Sequence, residues 1–337
     1  MYIQIYEHQT KRGVFYVKAV RQYAFGSKEV LQYEEIAMPT INGNEVLIRG
    51  VYTSVNYADI KSRIGSKAKG DFPFILGLDI AGIVEDAGNT KFQKGDRVIA
   101  FPKAGSYAEY VVASEQLVFK IPESVPFEQA ASMPTVSILA YILLHEVAQV
   151  KPTDSILIHS ASGGVGTVLT QFAKLAGIDQ IFTTVGNMEK AAYVKSLGAN
   201  HVYTYETFVE EVLAQTNQKG VTVIFDSVAG PITQQSLSCL ANYGTLVQFG
   251  NSSGLAGSIS TSDVHSSCRN IKGFSLGTTR KEDPKRLAPI VEKVFRYFED
   301  GSITIPIAEV IPLKDVKHAH GLMESRKHKG KILLQLS

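Results

Sequence analysis

Residues 155–177, SILIHSASGGVGTVLTQFAKLAG, constrain the fold of this chain more than any other stretch. Residues 156–158 are apolar and β-branched, the pattern of a short buried strand. Residues 160–166 form a turn of small side chains, and 167–176 carry an apolar helical period that stops at Gly177. Strand, glycine turn and helix in this order open a dinucleotide-binding βαβ unit. The residue types suit that chemistry. Gly163 and Gly164, between Ser162 and Val165, let the backbone approach a pyrophosphate. Gly166 lets the helix pack close to the strand, and the free N–H groups of the helix start favour an anion. Ala161 stands where the first of three spaced glycines is expected. Taken alone, the motif therefore also fits an ordinary glycine-rich βα turn, and the following segments have to decide.

They alternate regularly. Strands are predicted at 180–185, 202–205, 221–225, 245–249 and 271–275, with helices at 188–197, 207–216 and 232–241 and Gly198 capping the first. With the opening strand this makes a doubly wound, six-stranded parallel sheet of the α/β class. The chain before it is β-rich: strands at 45–55, 80–87, 96–101, 106–113 and 117–121, punctuated by Asn42-Gly43, Gly88-Asn89, Lys94-Gly95 and Ala104-Gly105. A short helix is predicted at 57–63, where Asp59 and Arg63 are spaced to pair on one face. A second, at 127–149, is broken or kinked at Pro134. After the sheet come a helix at 287–298, an extended run at 303–311, a helix at 315–324 and a last strand at 331–336. These final elements are expected to return to the β-rich part, so that the nucleotide unit is inserted within it. A chain of 337 residues suits two such domains.

A net charge of +2 argues against a dedicated nucleic-acid binder, and no apolar run is long enough to span a bilayer. The two cysteines, Cys239 and Cys268, have no metal-type spacing and suit a reducing cytoplasm. Residues 1–17 contain Glu7, His8, Lys11 and Arg12 and no sustained apolar core, unlike a signal peptide.

Seven segments, in order, carry a family resemblance: Lys18-Ala-Val-Arg-Gln-Tyr-Ala-Phe-Gly, Ser54-Val-Asn-Tyr-Ala-Asp-Ile, Ala161-Ser-Gly-Gly-Val-Gly, Thr184-Val-Gly-Asn, Ser196-Leu-Gly-Ala-Asn, Asp226-Ser-Val and Phe249-Gly-Asn-Ser-Ser-Gly. The chain resembles the medium-chain dehydrogenase/reductase superfamily, and within it the zinc-free, ζ-crystallin-like quinone oxidoreductases. The resemblance runs from Lys18 to the end. It implies a β-rich, GroES-like catalytic domain at 18–136 and 280–337, a Rossmann domain at 137–279, and an atypical extension or misassigned start at 1–17. Zinc-dependent relatives carry Gly-His-Glu where this chain has Gly77-Leu78-Asp79, and a cysteine just before Val55-Asn56. A catalytic zinc needs three protein ligands, and neither cysteine stands at a ligand position. His318 and His320, two apart on a helix, point about 200° apart and do not chelate one ion. No metal site is expected.

The cofactor choice rests on the end of the second strand. An NAD-preferring unit places an acid there, about 20 residues past the glycine turn. Counting forward reaches Gly186-Asn187-Met188-Glu189-Lys190, where the strand end carries no acid to repel a 2′-phosphate and Lys190 is available to bind one. The resemblance gives the same role to Asn187, Lys190 and Tyr205, and the expected cofactor is NADPH. Ser227, Val228, Phe249, Gly250 and Asn251 fall at the carboxyl ends of later strands, where an open α/β sheet binds its ligand.

Without a Lewis acid, alcohol oxidation is disfavoured, whereas hydride transfer to an electron-poor quinone or conjugated alkene needs mainly positioning and hydrogen bonds to a developing oxyanion. Asn56 matches the family's active-site asparagine, or is a turn residue. Arg63 is an electrostatic partner near the pocket, or the mate of Asp59. Tyr52 and Tyr57 are proton-donor candidates, or packed rings. Lys61 and Lys67 stand near positions where the quinone-binding branch often has tyrosines. The basic cluster of Arg63, Lys67 and Lys69 attracts an anionic substrate or is a solvated loop. The leading reading is an NADPH-dependent quinone reductase, ahead of an enone or enal reductase and of a non-catalytic NADPH-binding protein. Relatives pair the sheet edge across a two-fold axis, which implies a homodimer through residues 270–275.

Overall fold

The computed structural model describes residues 10–11, 14–67 and 71–336. The chain forms two compact units, residues 1–134 with 307–337 and residues 135–306. The first unit begins with β1 (Thr10–Lys11), β2 (Val14–Gln22), β3 (Leu31–Ala37) and β4 (Glu45–Ser54). It continues through α1 (Tyr57–Arg63), β5 (Phe74–Ile75), β6 (Ile80–Asp86), β7 (Arg97–Ala100), β8 (Tyr110–Ser114), β9 (Val118–Lys120) and α2 (Phe127–Ser132).

The second unit opens with α3 (Pro134–Tyr141), which runs on into a π-helical stretch, Ile142–Ala148. It then alternates: β10 (Ser155–Ile158), α4 (Gly164–Leu175), β11 (Gln180–Thr184), α5 (Ala191–Ser196), β12 (His201–Tyr203), α6 (Phe208–Gln215) and β13 (Val221–Asp226). There follow α7 (Pro231–Ser238), β14 (Leu240–Gln248), α8 (Thr261–His265), β15 (Asn270–Gly273), α9 (Leu276–Glu282) and α10 (Leu287–Glu299). The chain returns to the first unit with β16 (Ile307–Pro312), α11 (Val316–Ser325) and β17 (Lys331–Gln335).

In the second unit six parallel strands lie in the order β12-β11-β10-β13-β14-β15. Ile156, Leu157 and Ile158 of β10 are fully buried, as a central parallel strand covered on both faces requires. The order reverses between β10 and β13, the place where open α/β sheets bind ligands beyond the carboxyl ends of their strands. In the first unit β4 is the hub of a seven-stranded sheet, pairing with β6, β8 and β17. Val46 and Ile48 on β4 point into a core shared with Ile80, Val98, Ile332 and Leu334. Among the described residues no helix is long and apolar enough to cross a membrane.

Two boundaries differ from the sequence expectation. Residues 14–17, assigned to an extension, belong to β2, where Tyr16 pairs with Ala37 and Val17 is buried. Their run of β-branched and aromatic residues fits a half-buried strand, and β1 adds a short antiparallel partner. Residues 1–9, 12 and 13 lie outside the described residues. The second boundary falls near 307 rather than 280. The reason is α10, which buries Leu287, Ile290, Val291, Val294 and Phe295 at helical spacing. Its Tyr297 ring meets Phe172 of α4 edge-on at 5.2 Å, and Gln171 donates to the Thr304 carbonyl at 3.0 Å. The strand β3 and the helices α8 and α9 add to the elements expected from the sequence.

Candidate functional site

The glycine turn joins β10 to α4. The helix starts at Gly164, three residues ahead of its apolar period, so Gly163 is the N-cap while Gly164, Val165 and Gly166 form the first turn. Glycine offers no capping oxygen and the first turn carries no acid. The N–H groups that any helix start leaves without intrahelical partners are thus kept for an anion. At Gly166 a Cβ would lie 2.4 Å from the Ser160 carbonyl oxygen and 2.6 Å from Ala161 Cα. Both are backbone atoms, so only glycine lets this helix approach its strand. The residue in the left-handed region is Ser160, at φ 55°, one position ahead of Ala161.

The loops after β13 and β14 are held to each other. Ser252 and Ser253 donate through their N–H groups to the carbonyls of Ser227 and Val228, both at 3.0 Å, and Phe249 N–H donates to the Asp226 carbonyl. The Asp226 carboxylate fixes the first loop by accepting from Val228 N, Ala229 N and Thr233 Oγ1 at 2.7, 2.9 and 2.6 Å. A Cβ at Gly250 would lie 2.9 Å from the Ser227 carbonyl oxygen. Ser227, Val228, Phe249, Gly250 and Asn251 therefore sit together at the carboxyl end of the sheet, beside the switch point. Beyond β11, Asn187 caps the turn Met188–Lys190, accepting from Glu189 N and donating to the Glu189 carboxylate, both at 2.9 Å. Glu189 is thereby turned onto Asn187. At Gly186 a Cβ would meet nothing within 4 Å, so no packing demand explains that glycine. Tyr205 reaches back to Ser160, its hydroxyl accepting from Ser160 N–H at 3.0 Å.

In the first unit the candidate residues enter a buried polar network. Asn56 precedes α1, and its N–H donates to Asp59 Oδ2 at 2.8 Å. The buried Lys331 ammonium donates to Asn56 Oδ1 at 2.8 Å and to the Val55 carbonyl at 3.2 Å. An ammonium has only donors, so the atom facing it is the amide oxygen, and Asn56 is left to act through its Nδ2. That nitrogen donates to Ser54 Oγ at 3.2 Å and to the Ser54 carbonyl at 3.3 Å, and Ser54 Oγ in turn donates to the fully buried Asp79 at 2.6 Å. Burial lowers the Lys331 pKa, while the charges of Asp79 and Asp59 oppose that shift. Burial raises Asp59 to about 7, with the Asp79 charge adding to it. Bonds from Asn56 N–H and Tyr107, and the Lys331 charge, pull the other way.

Arg63 is 1% exposed and does not pair with Asp59 as its spacing suggested. Its Nε donates to the Gly26 carbonyl at 3.1 Å, its Nη1 to His320 Nδ1 at 3.1 Å, and its guanidinium pairs with Glu324. Because arginine cannot accept, His320 Nδ1 carries the lone pair and Nε2 the proton. Nε2–H then points to Tyr107 Oη at 3.2 Å, and Tyr107 donates to Asp59 Oδ2 at 3.0 Å. Burial, helped by the Arg63 charge, lowers the His320 pKa to about 3 and keeps the ring neutral. Arg63 thus ties α1 to α11, in place of the pairing with Asp59 that its spacing suggested. Nor does it join Lys67 in a surface cluster, and Lys69 lies outside the described residues. Tyr52 gives its proton to Glu128 at 3.0 Å, and burial and that carboxylate raise its pKa. The Arg326 guanidinium lies 5.9 Å from the Tyr57 ring centroid. His318 is exposed beside Glu309 while His320 is buried, facing apart as their spacing requires.

Residues 164–293 match the family described as zinc-binding dehydrogenase, and residues 42–123 match the alcohol dehydrogenase GroES-like domain. The chain is 32% identical over 319 residues to a probable quinone oxidoreductase of Schizosaccharomyces pombe, covering 92% of this chain and 94% of that protein. This chain belongs to the medium-chain dehydrogenase/reductase superfamily. Within it the branch is that of the zinc-free quinone oxidoreductases. The quinone oxidoreductase of Pseudomonas aeruginosa is 32% identical over 328 residues, covering 94% of this chain and 99% of its own. The structure of Escherichia coli quinone oxidoreductase complexed with NADPH matches with a TM-score of 0.89 at 30% identity, over 94% of this chain and 99% of that one.

For a dehydrogenase/reductase, the most informative residues of the first unit were those the sequence reading passed over. Tyr107 and Lys331 carried no motif, His320 was read only as a non-ligand, and Asp79 only as a replaced metal position. Their separations, up to 277 positions between Ser54 and Lys331, leave no local signal. Among the described residues no group of three or more His, Cys, Asp or Glu side chains gathers to hold a metal ion. Asp79, in the Gly77-Leu78-Asp79 segment, accepts from Ser54 Oγ.

Proposed function

We propose that the chain is an NADPH-dependent quinone oxidoreductase that transfers a hydride without a metal. The observation that carries this reading is full-length likeness to quinone oxidoreductases, one of them complexed with NADPH, in a chain whose own glycine turn fits a dinucleotide. Bound NADPH supplies the hydride. The uncapped first turn of α4, from Gly164 to Gly166, holds the diphosphate, and the loops carrying Ser227, Val228, Phe249, Gly250 and Asn251 border the dinucleotide. Lys190, Asn187 and Tyr205 take the 2′-phosphate. Asn56, its oxygen held by Lys331 and its Nδ2 resting on Ser54, is the donor candidate for the carboxamide or a developing oxyanion. Tyr57 and Tyr52 are the proton-donor candidates, Tyr52 with its hydroxyl on Glu128.

The test is the loss of NADPH absorbance with a panel of ortho-quinones, para-quinones and short enals. Rapid quinone turnover is expected. Turnover of enals alone would replace the reading with an alkene reductase, and tight cofactor binding without turnover would replace it with a binding protein. Asn56→Ala is expected to lower turnover with either cofactor, and unchanged turnover would remove Asn56 from the reacting centre.

The assembly we infer is a homodimer through residues 270–275. Among the described residues β15 is the sheet's terminal strand, and such edges tend to be paired or covered. A strictly monomeric species in light scattering at micromolar concentration would oppose it. Two free cysteines, Cys239 buried and Cys268 exposed, fit a reducing cytoplasm, which cell fractionation tests.

A further inference from the structure

Ser160 begins the phosphate turn in a left-handed conformation that residues with a Cβ disfavour. Two hydrogen bonds from one distant side chain hold it there. Tyr205 Oη accepts from Ser160 N–H at 3.0 Å, and the two hydroxyls share a bond at 2.9 Å. The Tyr205 ring is itself held, stacked on His159 with centroids 5.9 Å apart and planes 27° apart. His159 is buried and bonded through Nδ1 to Thr184 Oγ1 at 2.9 Å and through Nε2 to Ser236 Oγ at 2.8 Å. The strand end, the turn and the segment after β12 therefore form one braced unit.

A phenol oxygen has one proton and two acceptor sites. Ser160 N–H takes one acceptor site. When the Ser160 hydroxyl donates to the other, the phenol proton stays available to a phosphate oxygen. We propose that Tyr205 is a positioning residue that locks the diphosphate turn through Ser160, coupling that turn to the 2′-phosphate end of the cofactor. The proposal rests on the NADPH reading above but goes beyond it, because a residue that only touches the 2′-phosphate has no effect on NADH.

The experiment measures dissociation constants for NADPH and NADH by fluorescence titration of the wild type, Tyr205→Phe, Ser160→Gly and the double variant. Tyr205→Phe is expected to weaken both dinucleotides by about five- to tenfold, with an added loss for NADPH. In the Ser160→Gly background, where glycine takes the left-handed conformation unaided, Tyr205→Phe should leave NADH affinity within about twofold. Loss of NADPH affinity alone in Tyr205→Phe, or an equal NADH loss in both backgrounds, overturns the proposal. Thermal unfolding without ligand reads the brace independently of cofactor identity. Tyr205→Phe is expected to lower Tm by about 2–4 °C, and Ser160→Gly to restore at least half of it. No restoration overturns the brace. Equal weakening of NADH and NADPH by Lys190→Ala breaks the NADPH reading while leaving the rescue test decisive.

Discussion

The glycine turn of the second unit and the polar interior of the first solve similar problems by different means. The turn offers backbone groups contiguous in sequence: an uncapped helix start and a glycine that admits close packing. The interior assembles Ser54, Asn56, Asp59, Asp79, Tyr107, His320 and Lys331 from β4, α1, α11, β17 and the segments between them. Phosphate recognition by backbone leaves a pattern in the sequence because the geometry is local. A buried ionic network leaves none, because each member is an ordinary residue until the fold brings its partner. The contrast also predicts how each region fails: the turn through steric contact, the interior through uncompensated charge.

The largest effect should come from the interior. Lys331→Met removes the buried cation and leaves Asp79 and Asp59 without it, a change that typically costs about 3–5 kcal/mol. Urea unfolding checks it, and a loss below about 1 kcal/mol would mean that the network does not act as an ionic unit. Next comes steric failure of the turn. Gly166→Ala puts a Cβ against backbone atoms at 2.4 and 2.6 Å, for an expected loss of about 1–3 kcal/mol together with weaker NADPH binding. Wild-type stability and affinity in that variant would show that helix and strand have room to separate.

Lys190→Ala should act chiefly on NADPH binding. The KM for NADPH should rise about ten- to hundredfold with the turnover number nearly unchanged and NADH used no worse. An equal effect on both cofactors would make Lys190 a structural residue of its helix. Per pH unit, the smallest effect is a pH dependence of stability. The Asp59 pKa is raised from 3.8 to about 7, so the folded state keeps a proton that the unfolded chain has released. This contribution is complete below the unfolded value and is lost as pH rises towards 7. Relative to Asp59→Asn, the wild type should therefore lose stability across that window, by at most about 1.4 kcal/mol per pH unit. A flat difference between pH 4.5 and 7 in urea titrations would sink the assignment.

Periodicity and turn chemistry were enough to read the alternating sheet, the break at Pro134 and the bounds of α1, since each depends on neighbours within one turn or strand. The boundaries implied by the resemblance differ at β2, which includes residues 14–17, and at α10, which lies in the second unit. At the site, the helix begins at Gly164, inside the turn expected at 160–166, while spacing placed the close approach at Gly166 and the turn at Asn187. It misjudged Arg63, because a spacing of four says that Asp59 and Arg63 share a helix face and nothing about the stronger partners Glu324 and His320 offered by another helix.

The order of residues by itself determined the dinucleotide fold, the replacement of the zinc-ligand motif at Gly77-Leu78-Asp79 and the position of the phosphate turn. These depend on backbone conformation and side-chain identity, both local properties of the chain. Only the tertiary structure decided that Asn56 is oriented by Lys331, that His320 is neutral with its proton on Nε2, and that Ser160 rather than a glycine takes the left-handed position under Tyr205. Each of these is a hydrogen bond between segments remote in sequence. Burial makes such bonds decisive, because a polar group withdrawn from water must take whichever partner the fold supplies.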